Sequence, residues 1–456
     1  MVTNLESATP AESRMHQSEA QTTRSSHYLE TSPRLSTGNG VVAEVVQSWS
    51  NPPMNRWRVL SCCLASFGNG LWDSAPGALL PYIETHYDIG YAVVSLIFVA
   101  NALGFILAVF FTNALLNRLG RARTLMVAEA TMIIAFIVVI CTPPFPVVTI
   151  VFVLLGVAYA LILSLNNVFC ANLAGGTVIL GAAHGSYGFG GVLGPIMATA
   201  LVSSGVLWSR FYLITLGIRF FSLALSGWSF WHYEDEVQAR LGTSLELTAN
   251  RQGDLDETQP HSRNLLVRAL SDRVTIFGAL LTFAYQGAEV SISSWVTTFF
   301  INERKGDPKH VGYISGGFWG GITVGRFVLS HAAHRIGEKN FVYVFGCGAI
   351  AFQLLVWLVP NVIGDAIAVS IVGLLLGPIY PCGQSALSKL LPSRIQMASF
   401  SFISGAGSSG GAVAPFIIGL LAQAVGIFAL HPICVALLVG MLGCWAGLPK
   451  ARHRNE

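Results

Sequence analysis

The chain has 456 residues, 53% hydrophobic and 11% charged, with a mean hydropathy of +0.60 and a formal net charge of +3. No set of soluble domains could keep such a surface in water, so that class is excluded. Apolar stretches of about 20 residues recur, each able to cross a hydrocarbon core of roughly 30 Å as a helix, and continuous runs select helices over a barrel's alternating strands.

Residues 1–56 are rich in Ser, Thr and Glu and lack an apolar core, which predicts a disordered cytosolic tail without a cleavable signal. Six spans follow at 57–82, 91–115, 124–142, 147–170, 179–204 and 211–231, the N-terminal half (57–231). The polar stretch 232–273, carrying Glu234, Asp235, Glu236, Arg251, Asp254, Asp256 and Glu257, reads as a cytosolic linker. Spans at 274–301, 311–332, 340–360, 363–388, 396–424 and 428–448 form the C-terminal half (274–448), before a short cytosolic tail at 449–456. The expected fold class is therefore an all-α integral membrane protein of twelve transmembrane helices in two parallel six-helix repeats.

Lys and Arg orient the chain. Of 26, these spans put 20 on the side of the termini and only Arg210, Arg304, Lys305 and Lys309 on the other, with Arg219 and Arg326 inside helices. Positive residues stay on the cytoplasmic side, so both termini are expected there. The eight cysteines fall mostly within apolar runs without metal-type spacing and read as small core hydrophobes, and no metal or cofactor is expected. The basic residues follow topology and form no nucleic-acid patch. The expectation is a monomer in a lipid bilayer, in the plasma membrane or alternatively a vacuolar or other endomembrane.

Internal repetition supports the two halves. Arg118-Leu119-Gly120 returns as Arg335-Ile336-Gly337 at an offset of 217, which also brings Gly104 onto Gly321. Leu154-Leu155-Gly156 with Tyr159 returns as Leu375-Leu376-Gly377 with Tyr380 at 221, and Gly190-Gly191 with Pro195 returns as Gly410-Gly411 with Pro415 at 220. Parallel repeats of this kind build transporters whose site lies between the halves.

Charged residues near mid-bilayer are costly and usually face a polar cavity. Five lie well inside the spans, away from their ends: Asp73, Glu129, Arg219, Glu289 and Arg326. Helical spacing places Tyr285, Gln286 and Ser293 on the face of Glu289, and Asn69 and Ser66 on that of Asp73, whose helix is loosened by Gly70, Pro76 and Gly77. The two acids stand 216 residues apart, near-equivalent in the repeat, and are the expected proton-coupling pair. Arg219, with Thr215, Ser222 and Tyr212, and Arg326, with Thr323 and Ser330, could each neutralise an acid or hold an anionic substrate, and Arg326 could instead brace the inner end of its helix. Trp72, Tyr187, Tyr285 and Trp295 could stack on a ring-shaped solute, and Asn101 and Asn167 could line the cavity. Glu129, with apolar neighbours, reads as structural.

The loop Asn113-Ala-Leu-Leu-Asn117-Arg118-Leu-Gly120-Arg121-Ala-Arg123 resembles the Gly-x-x-x-Asp-Arg-x-Gly-Arg-x-Arg signature of the major facilitator superfamily, departing from it at Asn113 and Asn117. Asn69-Gly-Leu-Trp72-Asp73, Tyr285-Gln286-Gly287-Ala288-Glu289 and His184-Gly-Ser-Tyr187-Gly resemble the fucose-permease-like, sugar–proton symporter branch as it occurs in fungi. The resemblance implies alternating-access transport of a sugar-like solute or metabolite coupled to protons, with no enzymatic activity. The expected cytoplasmic conformational latch comprises Arg118, Gly120, Arg121, Arg123, Arg326 and Arg335. Where that branch has an acid in its fourth helix, this chain has Asn166 and Asn167. Gly181, Gly190, Gly194 and Pro195 match part of an antiporter signature, so proton-driven efflux is the alternative; a non-transporting receptor is the minor one.

Overall fold

The computed structural model describes residues 47–238, 268, 270–329 and 338–449. Most of the expected N-terminal tail and linker, nearly all of the C-terminal tail, and Arg335 of the expected latch lie outside the described residues. We number the membrane-crossing helices α1 to α12. α1 is Asn55–Ser74 continued by Pro76–Tyr87, the proline sitting where a helix's first N–H needs no intrahelical partner. Then come α2 (Tyr91–Thr112), α3 (Ala114–Ile140), α4 (Phe145–Ala171), α5 (Gly176–Ser203) and α6 (Trp208–Gln238). The second half holds α7 (Arg273–Asn302), α8 (Pro308–Val311, Tyr313–Val324 and a π-helical turn Gly325–Leu329), α9 (Glu338–Leu358), α10 (Val362–Leu390), α11 (Ser393–Val425) and α12 (Ile427–Gly447).

The stretch given as α3 is broken near its start, where the chain turns sharply at Gly120 (φ 75°, ψ 174°), a left-handed conformation that suits glycine. α6 continues to Gln238, into the expected linker, because its acids find partners: Glu236 takes both ends of the buried Arg58 guanidinium (2.8 and 2.9 Å), and Glu234 accepts the Arg121 backbone N–H.

Packing repeats with the sequence. α1 lies on α5, α2 on α4 and α3 on α6; likewise α7 lies on α11, α8 on α10 and α9 on α12. The repeated glycines explain the pairing. A Cβ on Gly190 would collide with the Phe67 carbonyl of α1, and one on Gly410 with the Phe283 carbonyl of α7. Such close backbone approach is the common way for helices to bind one another in lipid.

Among the described residues, nine helices are long and apolar enough to cross a membrane by composition alone; α1, α7 and α8 are not among them. α7 explains why it need not be. It is buried along its length, including Ser291, Ser293, Ser294, Thr297 and Thr298, so neighbouring helices and not lipid set its composition. By contrast Val109, Ile150, Phe221, Ile363 and Val439 stand exposed around the outside, as a lipid-facing belt requires.

The halves touch along α5–α8, α2–α11, and the second segment of α1 against α7. Two hydrogen bonds cross between them at the end opposite the chain termini, hereafter the far face. There the Tyr82 hydroxyl donates to the Pro308 carbonyl (3.0 Å) and the Asn302 amide to the Tyr91 hydroxyl (2.7 Å). Gly419 on α11 packs on Ser95 of α2, and Gly312 on α8 packs on Thr199 of α5. The far face is therefore the closed one.

Candidate functional site

Asp73 ends the first segment of α1. Leu71, Trp72, Ser74 and Ala75 around it are buried, whereas Asp73 alone in this stretch is partly open. The Tyr187 hydroxyl of α5 donates to its carboxylate at 2.7 Å. α5 reaches α1 this closely because Gly70 leaves room for the Tyr187 backbone. Tyr187 also contacts the Tyr159 hydroxyl of α4, and its ring meets Trp319 of α8 edge-on, 6.2 Å between centroids. Tyr187 thus joins the acid of one half to the surface of the other.

Behind α1, Arg219 of α6 is fully buried. Its guanidinium faces Glu129 of α3 at 3.3 and 3.4 Å and donates to Asn69, one helical turn before Asp73. A charge pair of this kind inside a six-helix half fixes α1 against α3 and α6.

In the second half Glu289 of α7 is buried and paired with Arg326 of α8 at 3.2 Å. Arg326 belongs to the π-helical turn, a departure from regular helix often found at functional sites. Tyr285, one turn before Glu289, donates to the Leu376 carbonyl (3.2 Å), interacts with both charges and lies 5.8 Å from the Tyr380 ring. Glu289 Oε2, Arg326 Nε and Trp319 Nε1 are buried with no hydrogen-bond partner among the described residues. Buried polar groups are nearly always satisfied, so three orphans on one interface mark a place for a polar ligand or water. The two carboxylates, Asp73 and Glu289, are near enough across that interface for their charges to interact.

Several expected residues stand elsewhere. Trp72 does not share the face of Asp73: it is packed edge-on against Phe136, Phe152 and Tyr159 in the core of its own half, because consecutive helical residues point about 100° apart. Trp295 is fully buried, donating to the Pro415 carbonyl (2.9 Å) with its ring against Tyr91 and Phe98, and so helps close the far face. The polar stripe on α7 divides. Tyr285 and Glu289 look toward α8 and α10, Gln286 lies against Gly407 and Gly411 of α11, and the Ser293 carbonyl accepts from Ser315 (3.0 Å). The Asn101 side-chain oxygen is buried and unpartnered on α2, while Asn167 is half-buried on α4 beside buried Asn166.

Of the expected latch residues, Arg326 faces the membrane-embedded Glu289, as its acid-neutralising reading has it. Of the other expected latch residues, Arg118 is exposed, Arg121 donates to the Leu165 carbonyl (2.6 Å), and Arg123 lies over the Trp231 ring at 5.7 Å. The carboxylate of Glu234 sits beside Gly120 and accepts the Arg121 backbone N–H. Sequence reasoning missed the pairing of Glu129 with Arg219 and the place of Trp319; opposite charges at membrane depth in one half were the available signal for the first.

The model of the Major Facilitator Superfamily matches residues 62–415. Bypass of stop codon protein 6 of Saccharomyces cerevisiae is 24% identical over 431 residues, covering 90% of this chain and 86% of that protein. Glucose/mannose transporter GlcP of Bacillus subtilis is 21% identical over 356 residues, 77% of this chain and 85% of its own length. The crystal structure of a D-xylose-proton symporter has the same fold, with a TM-score of 0.69 at 14% identity over 87% of this chain and 98% of that one. The family match begins in α1 and ends in α11, so it is the helical body as a whole, and no single motif, that places this chain in the Major Facilitator Superfamily.

Proposed function

We propose that this transporter moves a neutral, sugar-like solute in step with protons, by alternating access around the interface of Asp73, Tyr187, Trp319, Glu289 and Arg326. The observation that carries the reading is the difference between the two acids. Glu289 has its charge balanced by Arg326, whereas among the described residues no basic side chain pairs with Asp73. A carboxylate without a cation is costly to keep charged once water is excluded, so Asp73 takes up a proton for the site to close. Glu289 and Arg326 offer an acceptor and a donor to solute hydroxyls, and the unpartnered Trp319 Nε1 adds a donor beside an aromatic face. The sugar names of two relatives, one a proton symporter, support the solute class and the coupling. In this conformation the far face is shut; the Lys and Arg distribution supports its being the face away from the cytoplasm.

The test is uptake into proteoliposomes with an imposed pH gradient, screened over labelled hexoses and pentoses. Asp73→Asn should abolish accumulation against a gradient while sparing equilibrium exchange, and Glu289→Gln should weaken solute affinity as well. Full gradient-driven accumulation in both variants would refute the role of these acids.

A further inference from the structure

We propose that the seam between the halves, on the side of the chain termini, is a phospholipid site: a crevice between α1, α5 and α8 takes one acyl chain, and Arg56 at its mouth takes the phosphate. The crevice encloses about 470 Å³ and is walled by Leu60, Leu64 and Phe67 of α1, Ala182 and Phe189 of α5, and Phe327 of α8. Leu60, Leu64 and Phe67 follow one another at i, i+4 and i+7 and so share one face of α1. Asp73, thirteen residues beyond Leu60, falls on the opposite side of the helix at 100° per residue, so this crevice is distinct from the solute site.

Its origin lies in the helix contacts. Toward mid-membrane α5 closes on α8 through Gly191 against Trp319 and Gly188 against Thr323. One turn nearer the termini, the Phe327 ring of the π-helical turn stands against Gly185 and props the two helices apart. Leu60, Phe189 and Phe327 remain about half exposed around the opening, and the side chains that wall it are almost all apolar. An occupant of that space is apolar.

The headgroup end is equally specific. Arg56 is exposed one turn before Leu60 on the same face, with its guanidinium over the Trp49 ring at 5.3 Å. Beside it Trp57 and Trp228 meet edge-on at 5.5 Å, the kind of aromatic pair that marks the level of lipid headgroups. From Arg56 to Phe67 the helix rises about 16 Å, enough to hold a phosphate at one end and most of a chain along the rest. A guanidinium in that place matches a phosphate in charge and in its forked geometry.

The experiment uses the full chain in lipid nanodiscs containing a trace of phosphatidylcholine with a diazirine midway along one acyl chain. After irradiation, cross-linked peptides are mapped by mass spectrometry. Labelling should concentrate on residues 60–67, 182–189 and Phe327, several-fold above lipid-facing Val109, Ile150 and Val439. Leu64→Trp, which fills the crevice, should remove that excess and leave the other positions unchanged. Exposed Arg56→Ala should lower it too, with Arg56→Lys largely restoring it; both arginine variants touch only the surface, so they report on the site if Leu64→Trp misfolds. Even labelling around the whole circumference, or an excess indifferent to these substitutions, overturns the proposal. Cross-links between two copies of the chain through these residues would overturn it as well, by assigning the crevice to a dimer contact. None of these readouts depends on transport, so they stand apart from the test of the solute site.

Discussion

Removing one member of the Glu129–Arg219 pair should destabilise the N-terminal half far more than removing both. Both side chains are fully buried, with guanidinium and carboxylate 3.3 Å apart. Breaking such a pair from one side costs about 3–5 kcal/mol, because the survivor is left as an uncompensated buried charge. At about 1.4 kcal/mol per tenfold, that is roughly two to three and a half powers of ten in the ratio of folded to unfolded protein. The singles should also be ordered. In Arg219→Met, Glu129 can take up a proton and become neutral, whereas in Glu129→Leu the guanidinium keeps its charge at any accessible pH, with only Asn69 to accept from it. Glu129→Leu is therefore the worse variant. The double variant replaces the pair with apolar groups of similar volume and should recover most of the loss. The assay is denaturant unfolding of purified protein in one detergent, followed by tryptophan fluorescence and analysed as a double-mutant cycle. Singles that each cost under about 1 kcal/mol, or a double equal to their sum, would refute the claim that these charges hold α3 and α6 together.

Two further outcomes are expected. A tag at either terminus of the intact chain should resist protease in sealed cells and be cut only after permeabilisation; cleavage of the N-terminal tag in intact cells would invert the orientation. On the far face, Asp307 caps the start of α8, and hydrogen bonds from the Lys309 backbone N–H and the His310 side chain hold its carboxyl below the usual carboxylate range. A lowered value in the folded chain means the cap is fully present above the ordinary value of about 4 and lost as pH falls through the lower one. Amide exchange at Lys309, corrected for its intrinsic pH dependence, should accelerate below that point in the native chain and lose this step in Asp307→Asn, which keeps the cap but cannot titrate.

What the sequence made legible is what composition and spacing control. Among the described residues, nine of the spans follow from hydropathy, because lipid imposes it on every outward surface. α7 falls short of that measure because neighbouring helices surround it, and its short Ser and Thr residues pack there without breaking the helix. The repeated glycines were legible for a different reason. Gly190 and Gly410 recur because each faces a carbonyl of the neighbouring helix, a demand of the backbone that one sequence can record twice.

Partnership between charges is not recorded that way, since it depends on how each helix is rotated about its axis. Helical spacing puts Arg326 beside Thr323 on its own helix, but it says nothing of the neighbouring helix, where the guanidinium finds Glu289 from within the π-helical turn Gly325–Leu329. The same limit applies to Trp72, which adjoins Asp73 in sequence yet packs with Phe136 and Phe152 on another face. The repeat itself misleads at this level. It sets Asp73 and Glu289 in equivalent places, and equivalence suggests one shared task. Their partners are nevertheless unlike: a tyrosine hydroxyl for Asp73, a guanidinium for Glu289. A hydroxyl can stay hydrogen-bonded to a carboxyl group in either protonation state, whereas the ion pair stabilises only the charged carboxylate. The symmetry of the backbone therefore carries an asymmetry of chemistry, and it is on the Asp73 side that a proton can come and go without leaving a buried cation behind.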